Sequence, residues 1–347
     1  MSQPYLVVGQ GLAGTAVAWR LWERGVPFTV VDRHEPLTSS KVAAGLMTPI
    51  TGMRLNMNWR YDTLYPEALA FYRARGKQLG RTFLFPRRLV RYFRDEAARA
   101  LFEKRMEDSV CRRFVMGEVG PDERFASGAG GFAQRHAAYL DTVAWLDASR
   151  AFFRDRDAWI GAEVEPADME VRDDGVAWRG RTFEKVIFCT GWQAAQHPWF
   201  DWVPFTSARG TILKIDANLG GSKRILNRGV WVLPRADGTL RAGASYEPRF
   251  EDPHTPDEPA LGGLREKLGE FLKIGFHETG SQTAVRPLVG RKNVLMGRHP
   301  AFDRVCFLNA LGSKGALRSP WAARTLVEHL LDGSPLEPEI DLRQNLP

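Results

Sequence analysis

Three glycines near the start of the chain carry the first recognisable chemistry. Gly9, Gly11 and Gly14 lie in LVVGQGLAG, after a run of strand formers and before a helix-forming segment. In that context the spacing suits a dinucleotide. Gly9 permits a tight turn, Gly11 lets the backbone approach a pyrophosphate, and Gly14 allows the helix to pack close on the strand. The helix start, with Leu12 and Ala13, offers free N–H groups and a positive dipole end to the phosphates. Asp32 closes the next apolar run, 21 residues after Gly11. A carboxylate there accepts both ribose hydroxyls and disfavours a 2′-phosphate, so NADP is not expected. Arg33 follows it and joins the expected cofactor-binding set. Far along the chain, Gly312-Ser313-Lys314-Gly315 forms a glycine loop between a strand-like and a helix-like segment, so a second helix N-terminus can aim at the same cofactor. Arg286 stands in a mostly uncharged stretch, and Pro287 behind it forces an extended backbone.

Periodicity locates the elements that must hold these residues. Strands are expected at 5–9 and 27–32 around a helix at 13–24, a βαβ start. Further helices are expected at 58–79 (interrupted at Pro66), at 95–108, at 139–154 with Asp141 as N-cap, at 257–273 and at about 316–332. FLFPRRLVRYF is strand-like, short β runs fill 158–190, and 209–246 alternates like antiparallel strands. Dinucleotide-type sequence returns at 158–191 and again at 294–332. The expected fold is mixed α/β: a Rossmann-like nucleotide-binding domain, discontinuous over 1–80, 140–205 and 280–347. An antiparallel-sheet substrate or cap domain is inserted as 81–139 and 206–279.

Composition narrows the function classes. The 347 residues are 44% hydrophobic and 26% charged, as in ordinary soluble globular proteins. No apolar run approaches the roughly 20 residues of a membrane span, and the N-terminus lacks signal-peptide features. Cys111, Cys189 and Cys306 form neither a CxxC pair nor a disulfide framework, which argues against a disulfide reductase and points to the cytoplasm. Net charge is +7, from 48 basic and 41 acidic residues. The clusters Arg87-Arg88-Arg91 and Arg112-Arg113 read first as a solvated face, with an anionic substrate or nucleic acid as the alternative. His136, His197, His254, His277 and His299 show no metal spacing, and no metal is expected. No second glycine motif sits between a strand and a helix, so no second dinucleotide domain is expected.

NAD or FAD is not decided by the first motif alone. Ser39-Ser40, Ala43-Ala44-Gly45, Cys189-Thr190-Gly191, Gly243-Ala244-Ser245-Tyr246-Glu247, Val285-Arg286-Pro287 and Gly312 to Gly315 accompany it. With Gly9 to Gly14 and Asp32 they resemble the FAD-dependent D-amino-acid oxidase family, in particular its glycine oxidase and sarcosine oxidase branch. The resemblance runs through most of the chain and implies an FAD-binding fold of the glutathione-reductase type. It implies non-covalent FAD, because no cysteine falls at a matching tethering motif. Ser39 and Ser40 would then touch the pyrophosphate, Ala43, Ala44, Gly45 and Leu46 would line the flavin ring, and Val164 would face the adenine. Thr190 and Gly191 belong to the same set. Gly312, Ser313, Lys314 and Gly315 would direct donors at the flavin N1–C2=O edge.

The resemblance also implies a reaction. Arg286 would bind a substrate carboxylate through its planar fork, and Tyr246 would wall the substrate site. Lys314 would promote oxygen reduction by its charge; Trp231 and Trp59 are lesser candidates. A small amino acid or secondary amine would lose its α-hydrogen as hydride to flavin N5, with electrons passing to oxygen or another acceptor. Lys41-Val42 and TPITGMRLN (48–56) depart from glycine oxidases and leave the substrate open. Two alternatives accompany this reading. One is an oxidase acting on a glycine-like group of a modified tRNA. The other is a non-catalytic FAD-binding subunit of a larger dehydrogenase. The sequence gives no oligomeric state.

Overall fold

A computed structural model describes residues 3–290 and 293–345. The βαβ start forms from β1 (Tyr5–Val8), α1 (Leu12–Glu23) and β2 (Phe28–Asp32), with the two strands parallel. The helix α2 (Tyr61–Gln78) runs through Pro66 rather than breaking there. The missing N–H removes only the bond to the Asp62 carbonyl, close to the helix start, and the ring lies on the exposed face. Next come β3 (Leu84–Tyr92) and β4 (Gly131–Leu140). The helix expected at 95–108 covers Glu96–Arg105 behind the Asp95 cap, and a separate turn follows at Ser109–Arg112. The helix expected from 139 begins three residues later, as α3 (Thr142–Arg154), because Tyr139 and Leu140 end β4. Its N-cap is Asp141, which accepts the Ala144 N–H at 3.2 Å.

The rest of the chain supplies β5 (Trp159–Gly161), β6 (Val186–Phe188), β7 (Ala208–Ala217), β8 (Ile225–Asn227), β9 (Trp231–Pro234) and β10 (Leu240–Gly243). After α4 (Glu258–Phe271) follow β11 (Phe276–Arg286), β12 (Leu295–Arg298), β13 (Val305–Asn309) and α5 (Gly315–Asp332).

Two large sheets organise these elements. The first has the order β12-β13-β6-β1-β2-β5 and is parallel except for β12. Both its faces are covered, so β1 is apolar throughout. Tyr5 and Val7 enter the core shared with Trp19, Trp145 and Leu317, while Leu6 and Val8 enter the one shared with Trp178 and Phe307. The second sheet runs β11-β7-β10-β9-β8-β3-β4 and ends on the short strand Leu46–Met47, with Val115–Val119 also paired to β4; it is antiparallel except where β8 lies parallel to β3. Its outer face packs on α4 through Leu213, Val232, Leu264 and Phe271. Its inner face, through Leu89, Ile212 and Ala284, meets Val42 and Ala44. The fold is thus a mixed α/β nucleotide-binding fold interrupted by a largely antiparallel sheet. A cleft lies beneath that sheet's inner face.

Candidate active site

The glycine corner has little room for side chains. Gly9 has a left-handed φ of +94°, and a Cβ there would stand 2.7 Å from the Cys189 carbonyl oxygen. A methyl on Gly14 would overlap the Gly9 carbonyl oxygen, and one on Gly11 would come within 2.9 Å of Ser40 Oγ. Asp32 is held by two backbone donors, the N–H of Gln10 at 2.6 Å and that of His34 at 2.7 Å. Ser40 Oγ accepts the Leu12 N–H at 3.0 Å, so this hydroxyl occupies one amide of the α1 start.

From this corner a cleft runs in two segments of about 490 Å³ and about 300 Å³, joined at Gly11, Ser39, Ser40, Cys189 and Gly191. Gly9, Asp32, Arg33, Val164 and Thr190 line the first segment. Leu12, Ala13, Ala43, Ala44, Gly45, Leu46, Gly312, Ser313, Lys314, Gly315 and Arg286 line the second. Gly14 lies behind the lining, beneath the Gly9 carbonyl, where it serves packing. The Arg33 guanidinium is already paired with Glu163 at 2.6 Å and with Glu35. Trp231 lines the cleft over Gly243, whose Cβ would meet the indole at 2.7 Å.

Two expected positions fall elsewhere. Tyr246 is 62% exposed and outside the lining, because β10 ends at Gly243 and the chain leaves the inner face before reaching the tyrosine. Trp59 packs edge-on against Trp321, 5.5 Å between ring centres, and is likewise outside the lining.

The second segment is electropositive. Among the described residues, Arg91, Arg286 and Lys314 line it, and no Asp, Glu or His does. Arg286 ends β11, and its guanidinium rests on Gly210, where any side chain would overlap it. It donates to the Ser245 carbonyl at 3.1 Å and forms no ion pair among the described residues. The nearest candidate acid, Glu247, is taken: Arg209 Nε donates to it at 2.6 Å and Ser245 Oγ at 2.6 Å, all buried. Burial pushes the Arg286 pKa down, opposed by Tyr246 and Glu247. Burial, then the Arg318 charge, lowers Lys314 to about 8.

Sequence reasoning passed over several lining residues. Asn309 Nδ2 ties the end of β13 to the Gly191 carbonyl at 2.8 Å, while its Oδ1 accepts the Ala310 N–H at 2.8 Å. His197 lines the first segment, and burial holds its pKa down at about 4. Neither carries a motif that could have marked it.

A βαβ glycine corner, a two-segment cleft that starts from it and a second glycine loop lining that cleft define a dinucleotide-binding fold. The cradle fits such a group, since side chains at Gly9 and Gly11 would fill the approach. A sequence model of the FAD dependent oxidoreductase (DAO) family matches residues 5–329, and the chain belongs to that family. It is an FAD-dependent oxidoreductase. Over 55 residues it is 38% identical to the uncharacterized oxidoreductase YurR of Bacillus subtilis (strain 168), covering 16% of this chain and 15% of that protein. Over 118 residues it is 29% identical to a glycine oxidase of Bacillus licheniformis, covering 31% of this chain and 30% of the relative. These matches span less than a third of either relative. The fold is similar to that of glycine oxidase from Geobacillus kaustophilus, with a TM-score of 0.78 at 18% identity over 100% of this chain and 98% of that one.

Proposed function

We propose that the protein oxidises the C–N bond of a carboxylate-bearing amino acid or secondary amine, with non-covalent FAD along the cleft and oxygen or another acceptor taking the electrons. The observation that carries this reading is the Arg286 guanidinium, half-buried on Gly210 without an acid partner in an acid-free segment. A partly desolvated cation without a counterion calls for an anion. A carboxylate matches its fork through parallel, charge-assisted hydrogen bonds.

Asp32 would hold the ribose. Ser39, Ser40 and the α1 start would hold the pyrophosphate, and Gly312 to Gly315 the far end of the ring. When bound, FAD supplies the two-electron acceptor. Arg286 fixes the carboxylate and so orients the α-carbon; such positioning accounts for much of a rate. The lining cations Arg286 and Lys314, in a segment that no acid lines among the described residues, disfavour an ammonium nearby, so the substrate amine is held neutral, with its lone pair free. The substrate gives up its α-hydrogen with two electrons, a C=N bond forms, and water splits the imine to an oxo acid and ammonia or an amine. The sheet face above, with Ile212 and Trp231, keeps bulk water from the reacting carbon. The division into a cofactor domain (1–80, 140–205, 280–347) and a substrate domain (81–139, 206–279) is part of this proposal, with the bound at 280 moved past Arg286, because β11 pairs along its whole length with β7 of the second sheet. It is supported by the supply of cleft lining from both sheets.

The test is anaerobic. Purified yellow holoprotein is mixed with glycine, sarcosine, D- and L-amino acids and their decarboxylated counterparts, and the visible band is followed. Bleaching by a carboxylate-bearing amine but not by its decarboxylated partner is the expected result, and admitted air then reports whether oxygen is the acceptor. A holoprotein that no free amine bleaches overturns the reading and favours a macromolecular substrate or a non-catalytic subunit.

A further inference from the structure

The inner face of the second sheet carries a second cation at its far end. Arg91 on β3 pairs in register with Asn227 on β8, Asn227 with Trp231 on β9, Trp231 with Gly243 on β10, and Gly243 with Ile212 on β7. Arg91, Asn227, Trp231 and Ile212 therefore form one cross-strand row, and all four line the cleft segment that holds Arg286. Arg91 donates to the Gly52 carbonyl at 2.7 Å and has no ion pair among the described residues. Burial first, then the charge of Arg94, lowers its pKa to about 10, as for a cation without a counterion. On β4, paired with Leu89 two residues before Arg91 and lining the same cleft segment, stands Gln134, fully buried. Its Oε1 accepts the Ile50 N–H at 3.1 Å, and its Nε2 has no partner. A guanidinium without a counterion and an unpartnered amide donor in one cleft segment ask for an oxyanion.

Resting on the function proposed above, we infer that the substrate carries a second anionic group, on an arm that extends from the α-carbon at Arg286 along the sheet face to Arg91. The Arg286 guanidinium lies over β7, four strand spacings from β3, which is roughly 19 Å along the sheet. A compact dianion cannot touch both cations. The arm is extended, and its middle crosses Trp231 and Ile212, so it is apolar or flat there. Arg91 is thereby a specificity-determining residue, and the cleft discriminates by length as well as charge.

The test titrates holoenzyme with straight-chain dicarboxylates from succinate to sebacate, each against the monocarboxylate of equal length. The shift of the visible flavin band and the thermal midpoint report binding. Longer dicarboxylates are expected to bind about ten-fold or more tightly than their monocarboxylate partners, the worth of one further charge-assisted contact. Arg91→Gln is expected to erase that advantage, and Arg91→Lys to keep part of it; flavin content and thermal midpoint verify that both fold. Dicarboxylates no tighter than monocarboxylates at every length, or an advantage that survives Arg91→Gln, overturns the inference while leaving the role of Arg286 intact. Monocarboxylates that fail to bind, or bind equally to Arg286→Met, overturn the role of Arg286 and with it this inference.

Discussion

Replacing Arg286 with methionine separates a ligand-binding arginine from a structural one, because the two roles predict opposite balances of stability and activity. A guanidinium paired with a buried acid costs about 3–5 kcal/mol to remove, since the acid is left uncompensated. Arg286 has no such acid: Glu247 is satisfied by Arg209 and Ser245. Methionine is long enough to keep contact with Gly210, and the burial cost of an unpaired charge disappears. Against this, the Ser245 carbonyl loses its 3.1 Å donor, worth about 1 kcal/mol. The two effects nearly cancel, so folding stability is expected to stay within about 1 kcal/mol of wild type. Activity follows different arithmetic. Two charge-assisted hydrogen bonds to a carboxylate, at about 1.5–3 kcal/mol each, correspond to roughly a hundred-fold to ten-thousand-fold loss in kcat/KM. The loss is expected for carboxylate-bearing amines and not for amines without a carboxylate. Urea unfolding of both holoproteins and anaerobic bleaching with the two substrate classes measure the two quantities. A variant destabilised by about 3 kcal/mol or more, or one bleached by carboxylate substrates at the wild-type rate, refutes the reasoning.

Three further perturbations have defined outcomes. Gly14→Ala places a methyl on the Gly9 carbonyl oxygen. It is expected to cost about 1–3 kcal/mol and to yield colourless protein, so a fully yellow variant with an unchanged thermal midpoint contradicts the packing argument. His197 titrates at about 4 when folded and near 6.5 when unfolded, so the unfolded chain binds more protons between those values. Stability is therefore expected to fall by about 1–2 kcal/mol as pH drops from 6.5 to 4, after discounting for its partial exposure. His197→Phe should flatten that slope in urea melts. Lys314 titrates at about 8, so its cation is present below that pH and lost above it. Reoxidation of the reduced protein by air is expected to slow as pH rises through about 8, and this dependence should vanish in Lys314→Met.

The parts of the fold that were legible in the sequence are those whose signals are local. The corner at Gly9 to Gly14 is a matter of neighbouring φ angles and close approaches, and Asp141 caps α3 within its own turn. Strand β4 was not legible. Its alternation breaks at the exposed pair Arg135-His136, and it opens on Gly131 at the end of a run of small residues. Strand β11 is equally hidden, because it is an edge strand, half-exposed along most of its length, and FHETGSQTAVR carries too few apolar residues to announce it. Only its last residue was marked, through the Arg-Pro pair.

The amino-acid order alone determined the cofactor corner, the second glycine loop, the mixed α/β plan and the candidacy of Arg286, because each rests on residue type at fixed short spacing. Tertiary structure alone decided which cations face the cleft. Arg87, Arg88 and Arg91 look alike in sequence, yet the two-residue period of β3 turns Arg91 inward beside Leu89 and leaves Arg88 in solvent. It also left Tyr246 exposed and outside the cleft lining, since the end of β10 lies at Gly243. It left Arg286 without an acid partner, because Arg209 arrives from β7 to occupy Glu247. Pairings between strands far apart in the chain decide such matters, and no local spacing records them.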